Sequence, residues 1–510
     1  MSRKKEKLLK KQAEREAKNE EQIKNGTLRR VAYEDIKKKQ ALPNRKCPFQ
    51  TPDEELEDRQ STAEKSVMVY YRMLSNLLPK LSRIKDPRKP GMIKHKMNVL
   101  LIYGILMSMY QIGSRRDANR NISCPVFFDN LKAMFPEFET MPHADTVARL
   151  LERIDTSQVM DSMIELLKDL IRSKKFKNFM HKKGFMIAVD GTQKYFRNYQ
   201  WANECLVRHV GGEARIPQYY CYVLEAVLIL ENGIVLPVIS EFIENGKYEK
   251  DSDKQDCERA GFYRMAWKLK KIFRRTKLYI VADGLYACGP VITICKKYDW
   301  DYMIVLKEDS IPTVWKEANA LMNINPEDSL ECRWGDRKQI YNWANGIEYD
   351  YMADGVKKRV SLNVVICYET WTEEHPRSTG VTEEKQTRYA WLSSREISHG
   401  NVFYRCTKIG RYRWKIENNI LVEKHQGYNY EHCFSYTWEA MKGFHYLMKI
   451  GHFMNVMALN SELLANKVKE LGIRGFIDYL TLVCKGSKLD KNRIIEARER
   501  KFLWKLELVA

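Results

Sequence analysis

Three carboxylates have the residue types and settings for chemistry. Asp190 follows the apolar run 184–189, Asp283 follows the run 278–282, and Glu417 lies inside Arg413-Trp-Lys-Ile-Glu417-Asn-Asn, a segment with helical spacing. A carboxylate at the C-terminal end of a buried strand emerges at the mouth of the sheet, where open α/β sheets bind their ligands. Two of these, joined by a third from a helix, can hold divalent metal. Mg²⁺ takes hard oxygen ligands and keeps room for water and phosphate, the arrangement for two-metal phosphoryl transfer on nucleic acid. Taken singly, Asp190 and Asp283 each precede a Gly and also read as strand-end turn formers. Arg413 and Lys424 fall four residues before and seven after Glu417 on one helical face. There they could grip phosphate oxygens beside the metal, although an exposed helix with ordinary ion pairs has the same spacing.

The separations of 93 and 134 residues between the three carboxylates exceed anything one local element can arrange, so a larger fold must bring them together. Apolar periodicity predicts a strand over 184–189, then a hairpin of 218–230 and 234–243 around Asn232-Gly233, whose sequence supports a primed two-residue turn. A helix over 256–271 follows, with Phe262, Met265, Ala266 and Leu269 on one face, then a strand 278–282, a helix 289–298 and a strand 302–306. The order β-β-β-α-β-α-β, three antiparallel strands feeding a parallel βαβ extension, is the ribonuclease H-like topology. From about 330 to 398 the pattern alternates as strands do, with turn chemistry at Asn345-Gly and Asp354-Gly and a polar loop near 373–384. This predicts a β-rich insertion between Asp283 and Glu417.

The flanks read as helical. Residues 1–46 carry 16 Lys and Arg against 7 Asp and Glu, a basic arm with a helix around 4–24, either a solvated tail or a DNA-tracking segment. Helical patterns run through 66–78, 94–112 and 119–135, and another opens at Pro142-His-Ala-Asp145 with Asp145 in a cap-like position. The expected organisation is a basic arm (1–46), a helical DNA-end-binding or dimerisation domain (66–175), a ribonuclease H-like catalytic domain (184–435, insertion 330–398) and a helical C-terminal region (436–510). The fold class is α/β with all-helical regions at both ends.

Composition narrows the partners. In 510 residues, 87 Lys and Arg face 66 Asp and Glu, for a net charge of +21 and an isoelectric point near 9.3. That balance favours a polyanion, nucleic acid before any other, and fits a sugar substrate poorly. The longest apolar stretch, 97–112, contains Asn98 and Gln111 and falls short of the roughly 18 residues of a spanning helix, so no membrane partner is expected. The first residues lack the apolar core of a signal peptide. Twelve cysteines without a Cys-x-x-Cys pair read as reduced thiols. Both observations predict a cytoplasmic protein.

Weaker candidates read as structural. Asp256 and Glu258 sit where negative charge favours a helix N-terminus. Cys205, His209 and Cys221, like His425, His432 and Cys433, lack the paired spacing of a zinc site. Trp201, Trp343 and Trp391 could stack on a flipped base but more often such residues fill a core.

Together the segments Ile187-Ala-Val-Asp190-Gly-Thr, Lys254-Gln-Asp-Cys-Glu258, Ile280-Val-Ala-Asp283-Gly-Leu-Tyr-Ala, Gly410-Arg-Tyr-Arg413-Trp-Lys-Ile-Glu417-Asn and Gly427-Tyr-Asn-Tyr-Glu-His432 resemble those of DDE transposases of the insertion-sequence-4-like branch. The similarity spans roughly 66–464. It implies that Asp190, Asp283 and Glu417 bind two Mg²⁺ or Mn²⁺ ions, that Arg413 and Lys424 hold DNA phosphates, and that the chain acts as a homodimer on terminal inverted repeats and target DNA. Such a protein is bacterial or archaeal and nucleoid-associated when bound to DNA. In one departure, the branch's signature Tyr three residues before the Arg is Gly410 here. Two other functions stay open at this point: a DNA-binding protein without catalysis, and a hydrolytic nuclease on the same fold.

Overall fold

Continuous apolar runs build the centre of the molecule. The computed structural model describes residues 3–25, 48–246, 256–353, 355–374, 382–500 and 505–507. Its strands are β1 (Phe185–Arg197), β2 (Leu206–Val210), β3 (Ile216–Ile229), β4 (Val235–Ile243), β5 (Leu278–Ala282), β6 (Asp301–Val305), β7 (Ser329–Trp334), β8 (Arg337–Ala353), β9 (Val356–Glu374) and β10 (Thr382–Ser393). β1 pairs antiparallel with β3 and parallel with β5, β5 pairs parallel with β6, and β4 closes the far side of β3. The resulting core order is β4-β3-β1-β5-β6. β5 is buried at every position, as a central parallel strand covered on both faces must be.

The strands between Asp283 and Glu417 continue this sheet. β10 joins β6 antiparallel from Trp391↔Val305 to Ser393↔Met303, and β9, β8 and β7 follow outward, giving one ten-stranded sheet.

Several local expectations are corrected. A short strand, β2, enters between the first two predicted ones, on the outer edge of β3. The β3–β4 hairpin turns through three residues: Gly233 donates to the Leu230 carbonyl, and only Gly233 of the Asn-Gly pair has positive φ (+93°), whereas a primed two-residue turn needs it at both. Asn345-Gly346 is a bulge inside β8, because the Asn345 amide is tied to both backbone groups of Ile397 and Gly346 donates to Asn363. His143 is the cap of the helix Ala144–Leu151; Asp145 stands in its first turn and accepts from Arg115. Asp354, residues 26–46 of the basic arm, part of the polar loop near 373–384 and the Lys254-Gln pair lie outside the described residues.

The helices form around one buried member. Trp438–Leu459 is enclosed nearly all round, with Pro52–Leu81, Met97–Met109, Ala144–Leu151, Ser157–Arg172 and β4 against it. Met97–Met109 is apolar on every side and accordingly buried. Helices from both ends of the chain thus share a core with one face of the sheet. No helix among the described residues is long and apolar enough to cross a membrane.

Candidate active site

Asp190 is the point where β1 loses its parallel neighbour. Pairing with β5 ends at Val189↔Ala282, while β1 runs on to Arg197 against β3 alone. Asp190 is therefore mid-strand rather than strand-terminal, yet it still stands at the sheet's mouth because β5 has ended. Asp283 is the first residue after β5 and caps the turn Gly284–Tyr286, accepting from the Leu285 N–H at 2.9 Å. Glu417 comes from the first turn of the helix Trp414–His425, which packs on β1.

Two cations stand among these carboxylates. Arg413, the residue capping the Glu417 helix, places Nη2 2.6 Å from Glu417 and Nη1 3.7 Å from Asp190. Lys307, just after β6, lies 3.0 Å from Asp283. Burial pushes the Asp190 carboxyl up to about 6; Arg413 pulls it down, and the charges of Asp283 and Glu417 push it up again. The three groups share one locale: Asp190 and Asp283 each follow a residue of the last β1–β5 pair, Val189↔Ala282, and Arg413 reaches both Asp190 and Glu417. Among the described residues, no group of three or more His, Cys, Asp or Glu side chains is gathered as a ready-made metal cage. Each carboxylate oxygen set is hard and anionic, and the charge that a divalent ion would balance is met here by Arg413 and Lys307.

Lys424 sits one turn and more beyond Glu417, half-buried and 2.9 Å from Glu431. Asp256 accepts two bonds from Arg264, at 2.7 and 3.1 Å, in a structural ion pair.

The structure adds Glu258 to the site. It begins the helix Glu258–Phe273, as a dipole-favouring residue should, but its carboxylate also accepts from the hydroxyls of Tyr222 (2.9 Å) and Tyr286 (2.6 Å). It lies so near β1 that a Cβ at Gly191 would be 2.7 Å from its Cδ and 2.6 Å from the Tyr222 hydroxyl, so a larger residue beside Asp190 would push this pair aside. No sequence signal separates this role from capping, since Tyr222 and Tyr286 come from distant strands and turns.

A buried ionic network fixes the helix that carries Glu417. Glu423, six residues on, accepts from Lys449 (2.6 Å) and pairs with His452 (2.7 Å); Lys449 also reaches Glu225 at 3.0 Å. Glu225 is the direct cross-strand partner of Asp190. Burial pushes His445 down to about 4, so its 3.3 Å approach to Glu225 is a neutral hydrogen-bond contact, not an ion pair, at pH 7.

Gly410 has a steric explanation. A Cβ there would lie 2.9 to 3.3 Å from the indole of Trp391, which is 1 % exposed and stacks on Tyr389. Tyr412 points away, against His181. Gly410→Ala is expected to lower stability by about 1–3 kcal/mol through overpacking, read as a drop in thermal midpoint. Trp343 is likewise core, and Trp201 packs on Trp438 and Tyr195. Cys205 and Cys221 are buried while His209 is exposed, so the three form no cage.

Residues 78–166 match the family model described as DDE_Tnp_1-associated. That match points to a DDE-type transposase family. It covers the helical stretch from the end of Pro52–Leu81 through most of Ser157–Arg172, outside the carboxylate site itself. A comparison with curated proteins finds no match. The similarity thus lies on the helical segment 78–166 and does not reach the three carboxylates.

Proposed function

We propose that the protein is a DNA transposase that binds the ends of its own insertion sequence and catalyses phosphodiester cleavage and strand transfer. The observation that carries this reading is the convergence of Asp190, Asp283 and Glu417 where β5 leaves β1, in a chain whose helical segment matches a transposase-associated family. The core order β4-β3-β1-β5-β6, with β3 antiparallel to both β4 and β1 and with β1, β5 and β6 parallel, supports a ribonuclease H-like catalytic domain of the insertion-sequence-4-like branch.

The donor set suits hard divalent cations, so Asp190, Asp283 and Glu417 would hold two Mg²⁺ or Mn²⁺ ions. Bound there, the ions supply charge stabilisation to an in-line displacement at phosphorus. Arg413, released from Asp190 and Glu417 as their charge is balanced, would turn its guanidinium to a DNA phosphate, joined by Lys424. The remaining partners are duplex DNA at terminal inverted repeats, target DNA and a second copy of the chain. The protein would work in the bacterial or archaeal cytoplasm.

The test is incubation with DNA bearing the inverted repeats that flank the gene. The wild type should cleave and join strands in Mg²⁺, and Asp190→Ala, Asp283→Ala and Glu417→Ala should each lose cleavage while retaining end-binding. Near-normal nicking by any one of them removes that residue from the site. Cleavage without joining identifies a hydrolytic nuclease, and end-binding without any cleavage a non-catalytic DNA-binding protein.

End-binding should also weaken steeply with salt, since each phosphate neutralised adds about 0.9 to the slope of log K against log salt. Removing residues 1–46, which carry 16 Lys and Arg against 7 acids, should flatten that slope without unfolding the remainder. An unchanged slope would exclude the arm from the interface.

A further inference from the structure

A strongly cationic cavity of about 650 Å³ opens at the N-terminal edge of the parallel strands, the end of the sheet opposite Asp190 and Asp283. Lys277 immediately precedes β5 and Asp301 begins β6, so the length of β5, about 17 Å at 3.3 Å per residue, separates the cavity from Asp283. Asp301 is buried in its wall, with Lys277 at 2.9 Å and Arg395 and Arg405 at 3.4 Å each. One carboxylate thus faces three cations. Lys296, held by the Ser361 carbonyl at 3.0 Å, and Lys182 add two more, while Glu396 is the second acid of the lining. Five cations against two carboxylates leave three positive charges unbalanced.

The backbone beside the cavity takes two uncommon conformations. At His181–Gly184 a two-residue primed turn is closed by Gly184, which donates to the His181 carbonyl at 2.8 Å. Its central residues are Lys182 (φ +42°) and Lys183 (φ +67°), in the left-handed region that an Asn-Gly pair adopts at lower cost. Lys182 Nζ lies 3.8 Å from the centroid of the Tyr404 ring, which lines the cavity. The next residues, Arg405–Ile409, form a π turn in which Gly410 donates to the Arg405 carbonyl five residues back. Strained backbone and π turns both collect at functional sites.

We infer that this cavity binds a small, multiply charged phosphorylated anion, away from the carboxylate site. Guanidinium forks and ammonium groups are the natural partners of phosphoryl oxygens, and the volume falls within the roughly 300–1,000 Å³ of small-molecule sites. Asp301 does not consume the charge. Arg405, itself 6 % exposed, stays as its buried counter-ion, while the partly exposed Lys277 and Arg395 are free to turn from Asp301 to a ligand. A duplex lays its phosphates along a surface, one per about 3.4 Å of axis on each strand. Here the cations converge on one concavity instead, so the occupant is compact. The inference stands on this cavity alone and does not depend on the transposase reading.

The experiment titrates the full chain with inorganic pyrophosphate by calorimetry in buffer free of divalent metal, and separately with a short blunt DNA duplex. Lys182→Gly should melt no lower than the wild type, since glycine takes positive φ without steric cost. It should nevertheless bind pyrophosphate at least about tenfold more weakly, the factor that one charge-assisted hydrogen bond contributes. Arg395→Gln, on an exposed side chain, should fold normally and lose affinity to the same extent. Lys183→Gly relieves the same turn but removes a lysine outside the cavity lining, so it should bind as the wild type does. Arg413→Ala, which alters the carboxylate site, should also leave pyrophosphate affinity unchanged. Failure of the wild type to bind pyrophosphate overturns the inference, as does unchanged affinity in the Lys182→Gly, Arg395→Gln double variant. Equal loss of duplex binding in that double variant overturns it too, by assigning the cavity to a DNA backbone. Cleavage has no part in this readout, so a chain that binds pyrophosphate here but cuts nothing would refute the transposase reading alone.

Discussion

Replacing Lys449 by alanine is expected to remove about 3–5 kcal/mol of stability, a large share of what a folded chain possesses. The ammonium is fully buried between two carboxylates, 3.0 Å from Glu225 and 2.6 Å from Glu423, and nothing else in the network supplies a permanent positive charge to both. Lys449→Met keeps most of the volume and so isolates the charge effect from the cavity effect. The pH dependence of the two proteins should then diverge. In the wild type, burial pushes Glu225 and Glu423 up, but Lys449 and the histidines more than offset it and hold both below the usual carboxylate range. A depressed carboxylate contributes stability that is complete above its unfolded value and lost as pH falls. His445, held down at about 4, acts in the same direction, because the unfolded imidazole takes up a proton from about 6.5 downward. The wild type should therefore weaken on acidification. Without Lys449 the buried glutamates prefer the protonated form, so the methionine variant should gain on the wild type between pH 8 and 5. Thermal midpoints across that range test it, and a methionine variant as stable as the wild type at pH 8 would show that the pair contributes nothing net.

The consequence reaches the site through one helix. Glu423 and Glu417 share Trp414–His425, and Glu225 opposes Asp190 across the β1–β3 ladder. Loss of the shared cation would free the helix carrying one carboxylate from the strands carrying another.

This network marks the limit of what the chain discloses as a sequence. The strands 278–282 and 302–306 were legible because a fully buried strand is apolar at each residue, and the helix Glu258–Phe273 because its apolar face repeats at helical spacing. Asp190 and Asp283 stood out because each ends such a run. Lys449, His445 and His452 did not, since a charged residue inside a helical pattern reads as a solvated face until the partner elements are known. Asn345-Gly346 has turn chemistry and forms a bulge, because Ile397 and Asn363, distant in sequence, decide its hydrogen bonds. Glu258 was legible as a helix start, and its closeness to Asp190 depends on Gly191 leaving room, a property of packing between strand and helix.

Asp190→Asn should have opposite effects on activity and stability. Asp190 is mostly buried, and its pKa is pushed up to about 6 first by burial and then by Asp283 and Glu417, against the pull of Arg413. A carboxylate raised above its unfolded value stabilises the native state only when protonated, so the metal-free protein should lose stability as pH rises from about 4 through 6. At neutral pH the ionised group then costs about 3 kcal/mol, from a shift of roughly two units at about 1.4 kcal/mol each. The amide cannot ionise and keeps an oxygen for the Gly191 N–H bond. In EDTA at pH 7.5 the Asn variant should therefore melt higher than the wild type. Added Mg²⁺ should raise the wild-type midpoint by mass action and leave the variant nearly unmoved, while strand cleavage by the variant falls by a factor of about 10³ or more, the loss expected when a group that positions metal-held chemistry is removed. An Asp190 of purely structural use would give the reverse, a variant that melts lower and responds to Mg²⁺ as the wild type does. That result would separate the residue from metal binding even if cleavage were lost, because an unfolded site and an unliganded one both stop cutting but move the melting temperature in opposite directions.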